Sequence, residues 1–174
     1  MDFTFRKLTL KDTDNYRALR LLSYQESPYA FSESYEDECQ KSNQDFEKEI
    51  IQETYPEEYF ILGCFDEINL VGFVKFSRDQ RTKGWHKAMI YAMYVHPDFR
   101  KKGMGEDLVN RIIIIAKQMQ GLEQIHLWVL HYKDISAANF YKKLGFKSMS
   151  RVIDDLKIGA EYFDAEYMVL YLKV

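Results

Sequence analysis

The chain has 174 residues, 27 acidic against 24 basic side chains, a formal charge of −3 and 47% hydrophobic residues. That is enough chain for one domain, read here as spanning 1–174, with a substantial core; it excludes a disordered polymer, and the acidic balance lacks the basic footprint of a nucleic-acid binder. No apolar run approaches the roughly 20 residues of a membrane span. The cysteines, Cys39 and Cys64, lie too far apart for a metal-ligand pair, so no metal is expected and a reducing cytoplasm is the expected compartment.

The N-terminal residues 2–8 alternate apolar and polar around Phe3 and Phe5, which predicts a strand rather than a signal peptide. Asp12 is placed to cap a helix to about Glu26, with Tyr16, Leu19 and Leu22 on one face, and Pro28 stops it. Residues 28–42 are polar and acidic with interleaved aromatics and read as a loop or a weak helix. Ser42 followed by Asp45 resembles a capping box that opens a short helix through Phe46, Ile50 and Ile51.

Beyond Pro56 the pattern turns to β. Tyr59–Phe65 and Leu70–Phe76 flank the turn Asp66–Asn69 and predict a hairpin. Arg78–Lys87 reads as a basic connecting loop, Ala88–Val95 as a strand ended by Pro97, and Gly105 to about Gln120 as an amphipathic helix. A buried strand follows at Ile125–Leu130, then a short helix at Ser136–Leu144 with Gly145 as its C-cap, then two strand-like runs around Asp154–Gly159. The order, with β-α-β crossovers from about residue 88, predicts an α/β or α+β sandwich around one mixed sheet.

Chemistry concentrates where the strand ending at Val95 meets the helix opening near Gly105. Orphan N–H groups and the positive end of a helix dipole favour an anion there, Gly103 and Gly105 let the backbone approach closely, and Arg100, Lys101 and Lys102 add charge. Spacing alone leaves an ordinary glycine-containing helix start equally open. No Gly-Lys-Ser/Thr follows, so this is not a Walker loop, and the third glycine of a dinucleotide fingerprint is missing.

Arg100-x-x-Gly103-x-Gly105 after a strand resembles the Arg/Gln-x-x-Gly-x-Gly/Ala signature of the GNAT superfamily of N-acetyltransferases. Ala137-Ala138-Asn139-Phe140-Tyr141-Lys142-Lys143-Leu144-Gly145-Phe146 resembles the second motif of that family, and Leu127–Leu130 its splayed strand. The resemblance implies a single, mostly antiparallel mixed sheet of about six or seven strands flanked by helices. Its central pair, residues 88–96 and 125–131, would part around the cosubstrate.

The resemblance further implies transfer of an acetyl group from acetyl-CoA to an amine of a small molecule (a polyamine, an amino sugar) or of a protein, by direct attack in a ternary complex. The N–H groups of Arg100, Lys101, Lys102, Gly103, Met104, Gly105 and Glu106 would cradle the pyrophosphate. The backbone of Met93, Tyr94 and Val95 would hold the pantetheine arm and acetyl carbonyl, with an oxyanion donor near Val95. Tyr141 takes the position of the family's catalytic tyrosine, its hydroxyl directed at the thioester sulfur. The family's asparagine is replaced: its position holds Asp134, and Asn139 can substitute only in part.

The general base is left open. The strand before the loop carries no carboxylate, only Tyr91 and Tyr94; His131 is either a base or a loop histidine, and a water chain serves equally. Tyr24, Tyr29, Phe31 and Tyr35 with Glu33, Glu36, Asp37 and Glu38 are either walls of a cationic-amine site or a solvated acidic loop. Arg78–Lys83 is a plain loop or a contact for an acidic group. The tail around Gly159–Met168 resembles the family's final hairpin, which borders the acceptor site and makes a homodimer plausible. The competing class is an acyl-CoA-binding module of the same fold without turnover.

Overall fold

The computed structural model describes residues 3–51, 57–131 and 136–172. β1 (Phe3–Lys7) leads through a 3-10 turn at Leu10–Asp12 into α1 (Thr13–Glu26). Asp12 occupies the N-cap position, but its carboxylate turns back to Arg6 at 2.7 and 2.8 Å and to the N–H of Thr9 at 2.8 Å. α2 (Tyr35–Cys39) is the single short helix of the acidic segment, and α3 (Asn43–Ile50) opens on the Ser42–Asp45 capping box that the sequence indicates.

β2 (Tyr59–Asp66) and β3 (Asn69–Arg78) form the expected hairpin, followed by β4 (Lys87–Val95), α4 (Met104–Gln118), β5 (Gln124–His131) and α5 (Ser136–Lys143). β6 (Lys147–Ile158) and β7 (Glu161–Tyr171) complete one seven-stranded sheet in the order β1-β2-β3-β4-β5-β7-β6. Asp154–Gly159 is not a turn. β6 runs through it to Ile158 with a bulge at Asp154 (φ 57°), and the chain reverses at Gly159 and Ala160, where Gly159 supplies φ 63°.

The first four strands form an antiparallel meander, β5-β7-β6 is antiparallel, and the two halves meet at one parallel pair, β4 and β5. β2 and β3 are buried on both faces, which explains their nearly unbroken apolar sequence. One face carries α1 and α3 over Ile61, Phe65 and Phe73; the other carries α4 and α5 over Leu62, Val71 and Ile125. The Arg78–Lys87 segment differs from its reading as a plain basic loop. Arg78 is buried, stacks on Trp85 at 3.7 Å, and donates to the Trp85 and Gln120 carbonyls at 2.7 Å each, tying the loop to the end of α4.

Candidate active site

β4 and β5 pair only at Lys87–Gln124, Ala88–Ile125 and Met89–His126, then diverge. Within β4 the register against β3 slips: Phe73 faces Tyr94 and Lys75 faces Tyr91, so three steps on β4 span two on β3. The extra residue is absorbed at Ala92, held at φ 51°. A bulge re-aims the strand beyond it, and here it lies where β4 leaves β5. Alanine carries no signal for such a turn, so the sequence hides it.

A cavity of about 410 Å³ opens at this point, bounded by Met93, Tyr94, Val95, the loop residues Arg100, Lys101 and Gly103 to Glu106, and Phe140. Among the loop's backbone groups, Asp107 is the first residue of α4 whose N–H is taken, by the Gly103 carbonyl at 2.9 Å. The N–H groups from Lys101 to Glu106 have no acceptor among the described residues. Gly103 sits at φ 88° with open space where a Cβ would stand. Gly105 is tight: a Cβ there would meet Met93 Cε at 3.1 Å and Phe140 Cζ at 3.7 Å. Lys101 and Lys102 are exposed on the loop, whereas Met104 is buried in the core beside the cavity.

Arg100 departs from its expected part. Its N–H is taken by the Pro97 carbonyl at 3.1 Å, and its Nε donates to the Val95 carbonyl at 2.9 Å. Its outer nitrogens grip the Glu26 carboxylate at the end of α1, one of them at 2.9 Å. Tyr94 donates its hydroxyl to the same carboxylate at 3.3 Å. The Arg100 bond holds the Glu26 carboxyl below the usual carboxylate range. Arg100 therefore braces the loop, and the run of N–H groups without an acceptor starts at Lys101.

Tyr141 lies on α5, with its ring edge-on to Phe140 and Phe146 and its hydroxyl 3.5 Å from the Met93 sulfur. Burial pushes that hydroxyl well above its ordinary value. Asn139 is exposed on α5 and does not line the cavity. Asp134 lies outside the described residues.

A second cavity of about 470 Å³ occupies the divergence of β4 and β5 on the α1 side. Ala30 and Phe31 border both cavities. Its walls include Tyr91, Trp128 and Leu130; its buried lining includes Arg20 and Lys75, and the exposed carboxylates Glu33 and Asp155 also border it. Glu36 borders a separate outer hollow. Glu38 is not a free carboxylate: it is buried against Arg20 (3.6 Å) and Lys41 (2.9 Å). Lys41 continues to Glu49 at 2.8 Å, and Glu49 to Lys75 at 2.5 Å.

His131 borders neither cavity. It ends β5 with its Nε2 2.8 Å from the Glu166 carboxylate, which Lys142 also reaches at 3.3 Å. The sequence separates His131 from Glu166 by a helix and a strand, so the pair is invisible before the fold is known. His96 accepts from the Asp98 N–H at 3.3 Å and starts the short turn Pro97–Phe99. Among the described residues, no group of histidine, cysteine and carboxylate side chains is placed to hold a metal ion, and no helix is long and apolar enough to cross a membrane.

Comparison with known proteins agrees with this architecture. Residues 12–146 match the model of the Acetyltransferase (GNAT) family. The uncharacterized N-acetyltransferase MJ1207 of Methanocaldococcus jannaschii is 42% identical over 60 residues, 34% of this chain and 26% of that one, so the chain spans about a quarter of that relative's length. An acetyltransferase of GNAT family from Streptococcus pneumoniae superposes with TM-score 0.84 at 19% identity, over 99% of this chain and 100% of that one. The protein yncA of Salmonella typhimurium, solved with its cofactor acetyl-CoA, superposes with TM-score 0.78 at 16% identity, over 100% and 96%. At these identities the structural likeness speaks for the fold, while the family model spans most of the sequence and takes in the two-glycine loop and the Tyr141 helix. The chain belongs to the GNAT family of acetyltransferases.

Proposed function

We propose that the protein is an N-acetyltransferase that uses acetyl-CoA and acts on a primary amine in a ternary complex. The observation that carries this reading is the row of uncommitted N–H groups from Lys101 to Glu106, beside a cavity at the end of β4, past the point where β4 parts from β5. They fit a pyrophosphate, and Gly105 leaves the close approach that such a group needs. Acetyl-CoA supplies an activated acetyl thioester.

The chain's residues supply the rest. Lys101 and Lys102 add positive charge beside the cradle. The edge of β4 from Met93 to Val95, released from β5, offers backbone groups to an amide-bearing arm. The amine must shed a proton before it attacks, and Glu33, at the border of both the aromatic wall and the second cavity, takes it through water. Tyr141 keeps its proton at neutral pH because its hydroxyl is buried, and it delivers that proton to the departing sulfur. Neither cysteine adjoins the site: Cys39 is exposed on α2 and Cys64 is buried in β2, which favours direct transfer over an acyl-enzyme.

The test is calorimetric titration of the purified protein with acetyl-CoA, with acetyl-pantetheine as control. Micromolar binding that weakens sharply for the control is the expected result. At a hundred times the dissociation constant the ligand should stabilise the fold by about 2.7 kcal/mol. No binding in a folded sample free of copurified CoA would overturn the reading.

A further inference from the structure

The floor of the second cavity carries two buried cations, Arg20 and Lys75, whereas the carboxylates on its lining, Glu33 and Asp155, are exposed at its border. Arg20, Lys41 and Lys75 form one chain of ion pairs with Glu38 and Glu49, which leaves one positive charge in excess. Arg20 is 3% exposed, lines the cavity, and its Nη1 makes no hydrogen bond among the described residues. Its nearest carboxylate oxygen, on Glu38, stands 3.6 Å from Nε, too far for a hydrogen bond. The rings of Tyr24 and Phe31 lie 4.5 and 5.1 Å from its guanidinium carbon. Aromatic rings stack on guanidinium faces and leave the in-plane N–H donors for an acceptor.

A buried cation with an unspent donor is costly, and native proteins supply it with a partner. The strain reaches Lys75, also buried and lining the cavity: burial first, then the Arg20 charge, pushes its ammonium below the ordinary value in spite of Glu49. One monoanion at the floor of the cavity satisfies the donor and offsets the single positive charge in excess within the buried ion-pair chain. Glu33 and Asp155, exposed at the border, act in the opposite sense. They attract an ammonium and repel a dianion such as phosphate.

We propose that the acceptor is a small amine that also carries a carboxylate, with Arg20 and Lys75 holding the carboxylate at the floor of the cavity and the amine lying toward Glu33 and the β4 bulge. Arg20 and Lys75 then act as specificity-determining residues. The inference rests on the acetyltransferase reading above and narrows its acceptor. It also inverts what the acidic segment suggests in sequence, because Glu38 is consumed internally and the deep end of the cavity is cationic.

The experiment compares matched pairs that differ only in the carboxylate: tyrosine with tyramine, tryptophan with tryptamine, arginine with agmatine, methionine with 3-(methylthio)propylamine. Each compound is titrated calorimetrically into the protein saturated with CoA, and each is assayed with acetyl-CoA. The expected result is binding and turnover of at least one amino acid with kcat/KM about 100-fold or more above its decarboxylated partner, since a site built to hydrogen-bond a group rejects the analogue lacking it. Arg20→Gln should raise the KM of that amino acid about 100-fold while acetyl-CoA binding persists, with Arg20→Lys intermediate. The wild-type pair comparison stands even if the Arg20 variants do not fold. Equal or better use of the decarboxylated partners, or acetyl-CoA binding with none of the amino acids bound, overturns the carboxylate assignment alone. Loss of acetyl-CoA binding itself brings down the reading beneath it.

Discussion

The Tyr141 hydroxyl stands 3.5 Å from the sulfur of Met93, so the tyrosine on α5 and the strand residue beyond the β4 bulge meet across the gap. Met93 also fills the space above Gly105. A flexible thioether at this junction can be moved aside by a ligand at small cost. Tyr141→Phe removes the proposed proton source and leaves the ring packing against Phe140 and Phe146 intact. The expected outcome is a fall in kcat of about 10²–10³ with acetyl-CoA affinity unchanged, read from steady-state kinetics and calorimetry. Unchanged kcat would remove Tyr141 from the chemistry, and a protein with no turnover to lose would favour the binding-module alternative.

The two loop glycines should fail in different ways when replaced. Gly103 is needed for its φ of 88°, and an alanine there costs about 1–2 kcal/mol of strain without a clash. Gly105 is needed for space. Its alanine meets the movable tip of Met93, so thermal stability should change little while acetyl-CoA affinity falls tenfold or more. Melting curves and titrations on both variants separate the two; equal behaviour would contradict the distinction.

Glu26→Gln tests the brace between α1 and the two-glycine loop. Arg100 holds the Val95 carbonyl and Glu26 together, and losing the carboxylate frees its outer nitrogens. Acetyl-CoA affinity should drop several-fold although a negative charge has been removed from the neighbourhood of the proposed anion site. A rise in affinity would show that Glu26 merely competes for the arginine.

Acid stability should carry the signature of Asp12. Hydrogen bonding from Arg6 lowers its carboxyl from 3.8 to about 2, and the side chain is buried. The folded value lies below the unfolded one, so the stabilisation is complete above pH 4 and is lost as the pH falls through about 2. Asp12→Asn should cost about 2 kcal/mol at pH 7 by urea unfolding, and the gap from the parent protein should shrink between pH 4 and pH 2. A gap independent of pH would assign the cost to packing.

Local chemistry made much of this fold readable. The Ser42–Asp45 box, Pro28 after α1 and the two-glycine loop are signals carried within a few residues, and each lies where the sequence places it. What the sequence conceals depends on partners far along the chain. Lys75 pairs with Glu49, 26 residues earlier, and Arg20, four residues after Tyr16 on the buried face of α1, is enclosed by Tyr24 and Phe31 and paired with Glu38, partners that no local pattern names. His131 and Glu166 belong to the same class, and the Ala92 bulge has no residue signal at all.

The three rungs between β4 and β5 have a mechanical meaning. The backbone ladder is two sheets stitched at one short seam, with the meander on one side and the β5-β7-β6 trio on the other. Such a seam is the natural line along which the native protein breathes, and amide protons beside it should exchange as a group before those of β2 and β3. A molecule lying across the gap acts as a splint. Its arrival should slow exchange on both flanks at once, so a ligand held there would also set how tightly the two halves of the protein are held together.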